Sequence, residues 1–103
     1  MITISHLQRD DLRGLKELYE NAFEGSHTDF DKLTLRFGEI KNNRDYVILC
    51  AREDKRVVGS VLGVVCQELF GQCNPFMVLE DVAVLHAYRR RGIARQLMLK
   101  MEE

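Results

Sequence analysis

Residues 76–103 read F-M-V-L-E-D-V-A-V-L-H-A-Y-R-R-R-G-I-A-R-Q-L-M-L-K-M-E-E, from Phe76 to Glu103. The order is a buried strand, a short basic turn, a glycine at a helix entry, then an amphipathic helix. Ile93, Ala94, Leu97, Met98 and Met101 form its apolar stripe, while Arg95, Gln96, Lys100 and Glu102 face out. A strand that turns straight into a helix makes an anion site from backbone. The first N–H groups of the helix have no intrahelical partner, and the helix dipole favours negative charge beside them. Gly92 and Ala94 leave little side chain in the way, and Arg89, Arg90, Arg91 and Arg95 surround the mouth. The pattern points to a ligand carrying phosphates.

The strand itself, Phe76 to Leu85, is apolar on both alternating sets, which marks a central strand. Phe76, Val78, Val82 and Val84 form one face; Met77, Leu79, Ala83 and Leu85 form the other. Glu80 and Asp81 interrupt it, one on each face. A carboxylate in a central strand is costly unless it is paired or reaches water. Both are therefore candidates for proton transfer, Glu80 ahead of Asp81, with perturbed pKa values expected at such a site. The plainer alternative is a solvated carboxylate or an ion pair with an arginine.

The rest of the chain sets the context. Its 103 residues suit one small domain, residues 1–103. Apolar residues make up 46% and charged residues 30%, as in ordinary globular proteins. With 15 basic and 16 acidic residues, the net charge of −1 gives no argument for nucleic acid or a membrane surface. The distribution is informative: residues 82–101 hold five Lys or Arg and no Asp or Glu. An anionic ligand belongs at that end. Cys50, Cys66 and Cys73 lack metal-binding spacing, and an odd number of cysteines without a leader segment fits reduced thiols in the cytoplasm. Cys50 and Cys66 lie in apolar runs and read as core residues. No apolar run is long enough to span a bilayer.

Upstream, Ile2, Thr3 and Ile4 read as a short strand. A helix follows from about Asp10, with Asp10 or Asp11 as cap, to Phe23. Its stripe is Leu12, Leu15, Leu18, Tyr19, Ala22 and Phe23. Gly25-Ser26-His27-Thr28 is a loop, with His27 a solvated residue. Thr28 and Asp31 resemble a capping box opening a second helix that ends near Ile40. Tyr46 to Ala51 and Val57 to Cys66 read as two strands of an antiparallel hairpin around Glu53-Asp54-Lys55-Arg56. Gly59 and Gly63 mark a bulge or close packing. Leu69 to Pro75 is a loop.

The phosphate cradle is not a P-loop, which needs G-x-x-x-x-G-K-[ST], nor a G-x-G-x-x-G dinucleotide fingerprint. Arg89-Arg90-Arg91-Gly92-Ile93-Ala94 resembles the Q/R-x-x-G-x-G/A motif of the GNAT acetyltransferase superfamily. The likeness extends upstream through L-E-D-V-A-V-L-H-A-Y-R, and the element order matches the N-terminal part of that family. It covers nearly the whole chain.

The resemblance implies an α/β (α+β) fold: a mixed, mostly antiparallel sheet flanked by helices, in the order β-α-α-β-β-β-α. It implies acyl transfer from acetyl-CoA to an amine, without a metal. Backbone N–H groups from about Arg91 to Ala94, in the motif Arg89 to Ala94, would hold the pyrophosphate. Backbone groups of Val82, Ala83 and Val84 would pair with the pantetheine amides, and an N–H near Val84 would polarise the thioester carbonyl. Glu80, or else Asp81, would take the proton of the amine. The acceptor is a small molecule or a peptide amine, and no nucleic acid or membrane partner is implied. Tyr88 reads as a packing residue. The fifth strand, fourth helix and closing strands of the family have no counterpart here. The expectation is a C-terminally truncated domain, a chain whose partner supplies the missing wall, or a degenerate member. The open-ended helix favours truncation, and exposed apolar surface leads us to expect a homodimer. The alternative to an enzyme is a non-catalytic acyl-CoA-binding or dimerising module.

Overall fold

The computed structural model describes residues 1–102. The chain forms strand β1 (Ile2–His6), helices α1 (Leu12–Ala22) and α2 (Phe30–Ile40), strands β2 (Tyr46–Glu53), β3 (Arg56–Cys66) and β4 (Phe76–Val84), and helix α3 (Ile93–Met101). Single 3₁₀ turns precede α1 (Arg9–Asp11) and follow β4 (His86–Tyr88). The expected element order is thus present; Glu103, the last residue of the expected helix, lies outside the described residues. The four strands make one sheet in sequence order, and every neighbouring pair is antiparallel. None of the described helices is long and apolar enough to cross a membrane.

The sheet has a helix layer on each face. Leu12, Leu15 and Leu18 are buried on α1; Ile93, Leu97 and Met101 are buried on α3. Between them lie Leu49, Cys50, Ala51, Val58 and Val61 of the two inner strands. Burying a leucine fully contributes roughly 1.5–3 kcal/mol, so these layers dominate the packing. Gly59 lets α3 come close: a Cβ there would lie 3.0 Å from Cγ2 of Ile93. The pairing slips by one residue between Ala51↔Gly59 and Arg52↔Val57, so the strand also bulges there, at Val58. The β2–β3 turn is two residues long, with Asp54 at φ 57°.

Three expectations are corrected. Strand β4 is the edge of the described sheet, not its centre. Alternating apolar residues report which faces are covered, whereas hydrogen bonding along an edge leaves no mark on that pattern. Phe76, Met77 and Leu79 accordingly remain 49%, 38% and 38% exposed. Helix α1 is not capped by an Asp10 or Asp11 side chain. Asp11 instead reaches back to the Gln8 N–H at 2.7 Å and pairs with Arg52 of β2. The cap of α2 is Asp29, which accepts the Lys32 N–H at 3.0 Å; the Thr28 N–H donates to Glu20.

Candidate functional site

The site grows from an irregularity in β4. Ser60 pairs with Ala83, but Leu62 pairs with Glu80, so β4 carries one residue more than β3 between these pairs. Asp81 takes up the extra length at φ 52°, a left-handed conformation that Asp tolerates better than most residues. The bulge also moves the carboxylates. Cys50, Ser60, Leu62 and Glu80 are joined by cross-strand pairing and alternation, and Cys50 faces Asp11 on the α1 side of the sheet. Glu80 therefore lies on the α1 face. Asp81 lines a hollow with Tyr19, Phe23, Ser26 and Thr28, on that same face. The expected placement on opposite faces fails because strict alternation does not survive a bulge. Nor is either carboxylate buried: both are exposed and form no hydrogen bond or ion pair among the described residues.

Below the bulge, Leu85 donates its N–H to the Val58 carbonyl at 2.9 Å. Backbone groups alternate sides along a strand, so the N–H of Val84 turns away from β3 toward the open edge. The chain then passes through the His86–Tyr88 turn, takes Arg90 to φ 66° and Gly92 to φ 77°, and enters α3. Gly92 suits that conformation, and a Cβ on it would meet nothing within 4 Å. The first bond of the helix runs from the Gln96 N–H to the Gly92 carbonyl at 3.0 Å. The N–H groups of Ile93, Ala94 and Arg95 come before it and have no helical acceptor.

These two backbone features border one cleft of about 270 Å³. Val82, Ala83 and Val84 form one wall; Arg89, Arg90, Gly92, Ile93, Ala94 and Arg95 form the other. Tyr88 and the end of α1, Ala22 and Phe23, complete it. Eight of the nine expected donor-binding residues thus come together. Arg91 does not line the cleft: its guanidinium lies 4.8 Å from the centre of the Tyr88 ring. Arg90 and Arg95 are exposed and make no ion pair among the described residues.

The cleft is held in shape from behind. Asn21 Oδ1 accepts the His86 N–H at 2.9 Å, and Arg89 donates to the Ala22 carbonyl at 3.3 Å. The Tyr88 hydroxyl donates to Glu53 at 2.6 Å. That hydrogen bond, then burial, raises the Tyr88 pKa above its ordinary value. Tyr88 is therefore a packing and anchoring residue, as its sequence context suggests. Tyr19 is shifted further, to about 12, by burial and then by the Asp81 charge.

Sequence patterning missed the α1 contribution. Tyr19, Ala22 and Phe23 fit the apolar stripe of the helix, and only their position at its C-terminal end hints at a site. His27 is an exposed loop residue as expected, and it faces Glu20 at 3.1 Å. Of the thiols, Cys50 is buried, Cys66 intermediate and Cys73 exposed. No group of three or more metal-ligating side chains occurs among the described residues.

The model of the acetyltransferase (GNAT) family matches residues 12–103. No curated protein matches the sequence. Among solved structures, a transcriptional regulator from Bacillus halodurans C-125 is similar, with TM-score 0.87 and 21% identity, over 97% of this chain and 71% of the other. Glucosamine-6-phosphate N-acetyltransferase from Arabidopsis thaliana gives TM-score 0.86 and 21% identity, over 99% and 72%. Aminoglycoside N-acetyltransferase AAC(6')-Iy, in complex with CoA, gives TM-score 0.81 and 21% identity, over 99% and 67%. At these identities the structures speak for the fold alone.

Proposed function

Because the chain belongs to the GNAT acetyltransferase family, we propose that it transfers the acetyl group of acetyl-CoA to an amine. The observation that supports this best is the cleft itself, where a bulged strand edge meets the unbonded N–H groups of a helix start. The chemistry of its walls fits an acyl-CoA. N–H groups from about Arg91 to Ala94 hold the pyrophosphate, with Arg89 and Arg90 beside them. The open edge at Val82, Ala83 and Val84 offers hydrogen bonds to the two amides of the pantetheine arm, as an added strand would.

The Val84 N–H, turned to that edge, stabilises negative charge on the thioester oxygen as the amine attacks. The amine must first be neutral, and an alkylammonium holds its proton until about pH 10. Glu80 or Asp81 accepts that proton, directly or through one water. The new C–N bond forms as the C–S bond breaks. The nitrogen then loses a second proton; of the two protons released, one ends on the coenzyme thiolate and one in solvent.

Amine-dependent release of the CoA thiol tests the transfer. Stabilisation by CoA without such release would instead make the chain a binding module. We further propose that the chain acts in the cytoplasm and forms homodimers along the uncovered edge of β4, where Met77 and Leu79 are exposed on one face and Phe76 on the other; sedimentation of the purified chain tests the dimer.

A further inference from the structure

A hollow above the bulge forms a second concavity beside the donor cleft. It measures about 200 Å³ and is lined by Tyr19, Phe23, Ser26, Thr28 and Asp81. Phe23 borders both spaces, and Asp81 directly precedes Val82 of the donor wall, so the hollow and the cleft adjoin. The Tyr19 and Phe23 rings stack with centroids 5.9 Å apart and planes 25° from parallel. Aromatic faces attract cations and cover apolar bodies. Among the described residues Asp81 supplies the only formal charge in the lining, and no cation among them neutralises it. The Ser26 hydroxyl is already committed to the Tyr19 carbonyl at 3.3 Å. The volume lies below the roughly 300 Å³ at which pockets for drug-sized ligands begin.

We propose that this hollow binds a small organic monocation: a primary ammonium on an apolar or aromatic body, with Asp81 holding the ammonium and the Tyr19–Phe23 pair covering the body. A neutral isostere leaves the Asp81 charge unpaired. A zwitterion brings a second carboxylate against it, so free amino acids bind poorly. Larger amines can place only their amine-bearing end here. The role of this cation as acetyl acceptor rests on the donor cleft; its binding does not.

The test measures binding of phenethylamine, phenethyl alcohol and phenylalanine to the unliganded protein by calorimetry, beside the thermal shift given by CoA. The amine should bind saturably, with the alcohol and the amino acid weaker by about tenfold or more, the scale of a hydrogen bond to a charged group. Asp81→Asn keeps a residue that accepts a left-handed backbone, and should weaken the amine by about tenfold while leaving the CoA shift intact. Phe23→Leu should weaken it severalfold. Equal binding of alcohol and amine, an unchanged affinity in Asp81→Asn, or no saturable amine binding overturns the assignment. If the amine binds through Asp81 but CoA gives no shift, the hollow stands and the donor cleft falls. If CoA gives a shift and the amine does not bind, the donor cleft stands and the hollow falls.

Discussion

Ile93 opens α3 directly over Gly59 of β3, so close that a Cβ on the glycine would lie 3.0 Å from Cγ2 of Ile93. The same Cβ would meet the Ala83 carbonyl oxygen and Cδ1 of Leu97, each at 3.3 Å. Helix α3 is thereby seated on the sheet beside the cleft wall formed by Val82, Ala83 and Val84. Gly59→Ala should destabilise by about 1–3 kcal/mol, because backbone and branched side chains must shift. At Gly63 the near atoms are the sulfurs of Met101 and Met77, at 2.9 and 3.0 Å. These are ends of flexible side chains, so Gly63→Ala should cost less. Urea midpoints of the two variants measure the difference, and equal losses would show that α3 is not seated on Gly59.

The Asp11–Arg52 pair ties the start of α1 to β2, and Arg52 also donates to the His6 carbonyl at 3.1 Å. Burial pushes the Asp11 pKa up, but bonds from Arg52 and the Gln8 N–H outweigh it and leave it below the ordinary value. The ionised form is therefore favoured by folding. Its contribution is present above the unfolded pKa of about 3.9 and is lost as pH falls through the lower folded value. Asp11→Ala, which strands Arg52, should cost on the order of 3 kcal/mol near neutral pH. It should also flatten the acid limb of a stability–pH curve.

Tyr19 predicts the alkaline limb. Its pKa of about 12, raised by burial and then by the Asp81 charge, exceeds that of an unfolded tyrosine, 10.0. Stability from the neutral phenol is complete below pH 10 and is lost as pH rises toward 12. The loss should be on the order of 2 kcal/mol. Tyr19→Phe should remove most of it, as read by chemical denaturation across that range.

Thiol labelling should follow burial. Burial pushes the Cys50 thiol up to about 12, while Cys73 is exposed in the loop before β4. A thiol reagent at about pH 8 should modify Cys73 first and spare Cys50 until the chain unfolds. Labelling of Cys50 in the folded protein would contradict its place in the core.

Much of this was legible in the chain. The helix stripes, the hairpin and the strand–turn–helix of the cradle follow from periodicity and from Gly92 after three arginines. What escaped has physical causes. The bulge at Asp81 depends on a left-handed residue that is not glycine, so nothing in the alternation warns of it. The edge position of β4 depends on which backbone groups lack a neighbour, which apolar patterning does not record. Tyr19 and Phe23 have one face in the core stripe and another on the hollow, and a helical period detects only the first. Arg91 matched the motif by spacing, yet the Tyr88 ring lies beside it and draws it away from the cleft.

The central claim is that the N–H groups at the start of α3 bind the phosphates of CoA. Gly92 is the place to test it, because a Cβ there meets no atom within 4 Å and its φ of 77° is one that Asn and Asp can adopt. The direct measurement is the thermal shift produced by CoA on the parent chain, Gly92→Asn and Gly92→Asp. The shift should persist, reduced, in the neutral Asn variant and vanish in the Asp variant, whose charge repels the pyrophosphate. A shift that survives Gly92→Asp would place the coenzyme elsewhere and contradict the account.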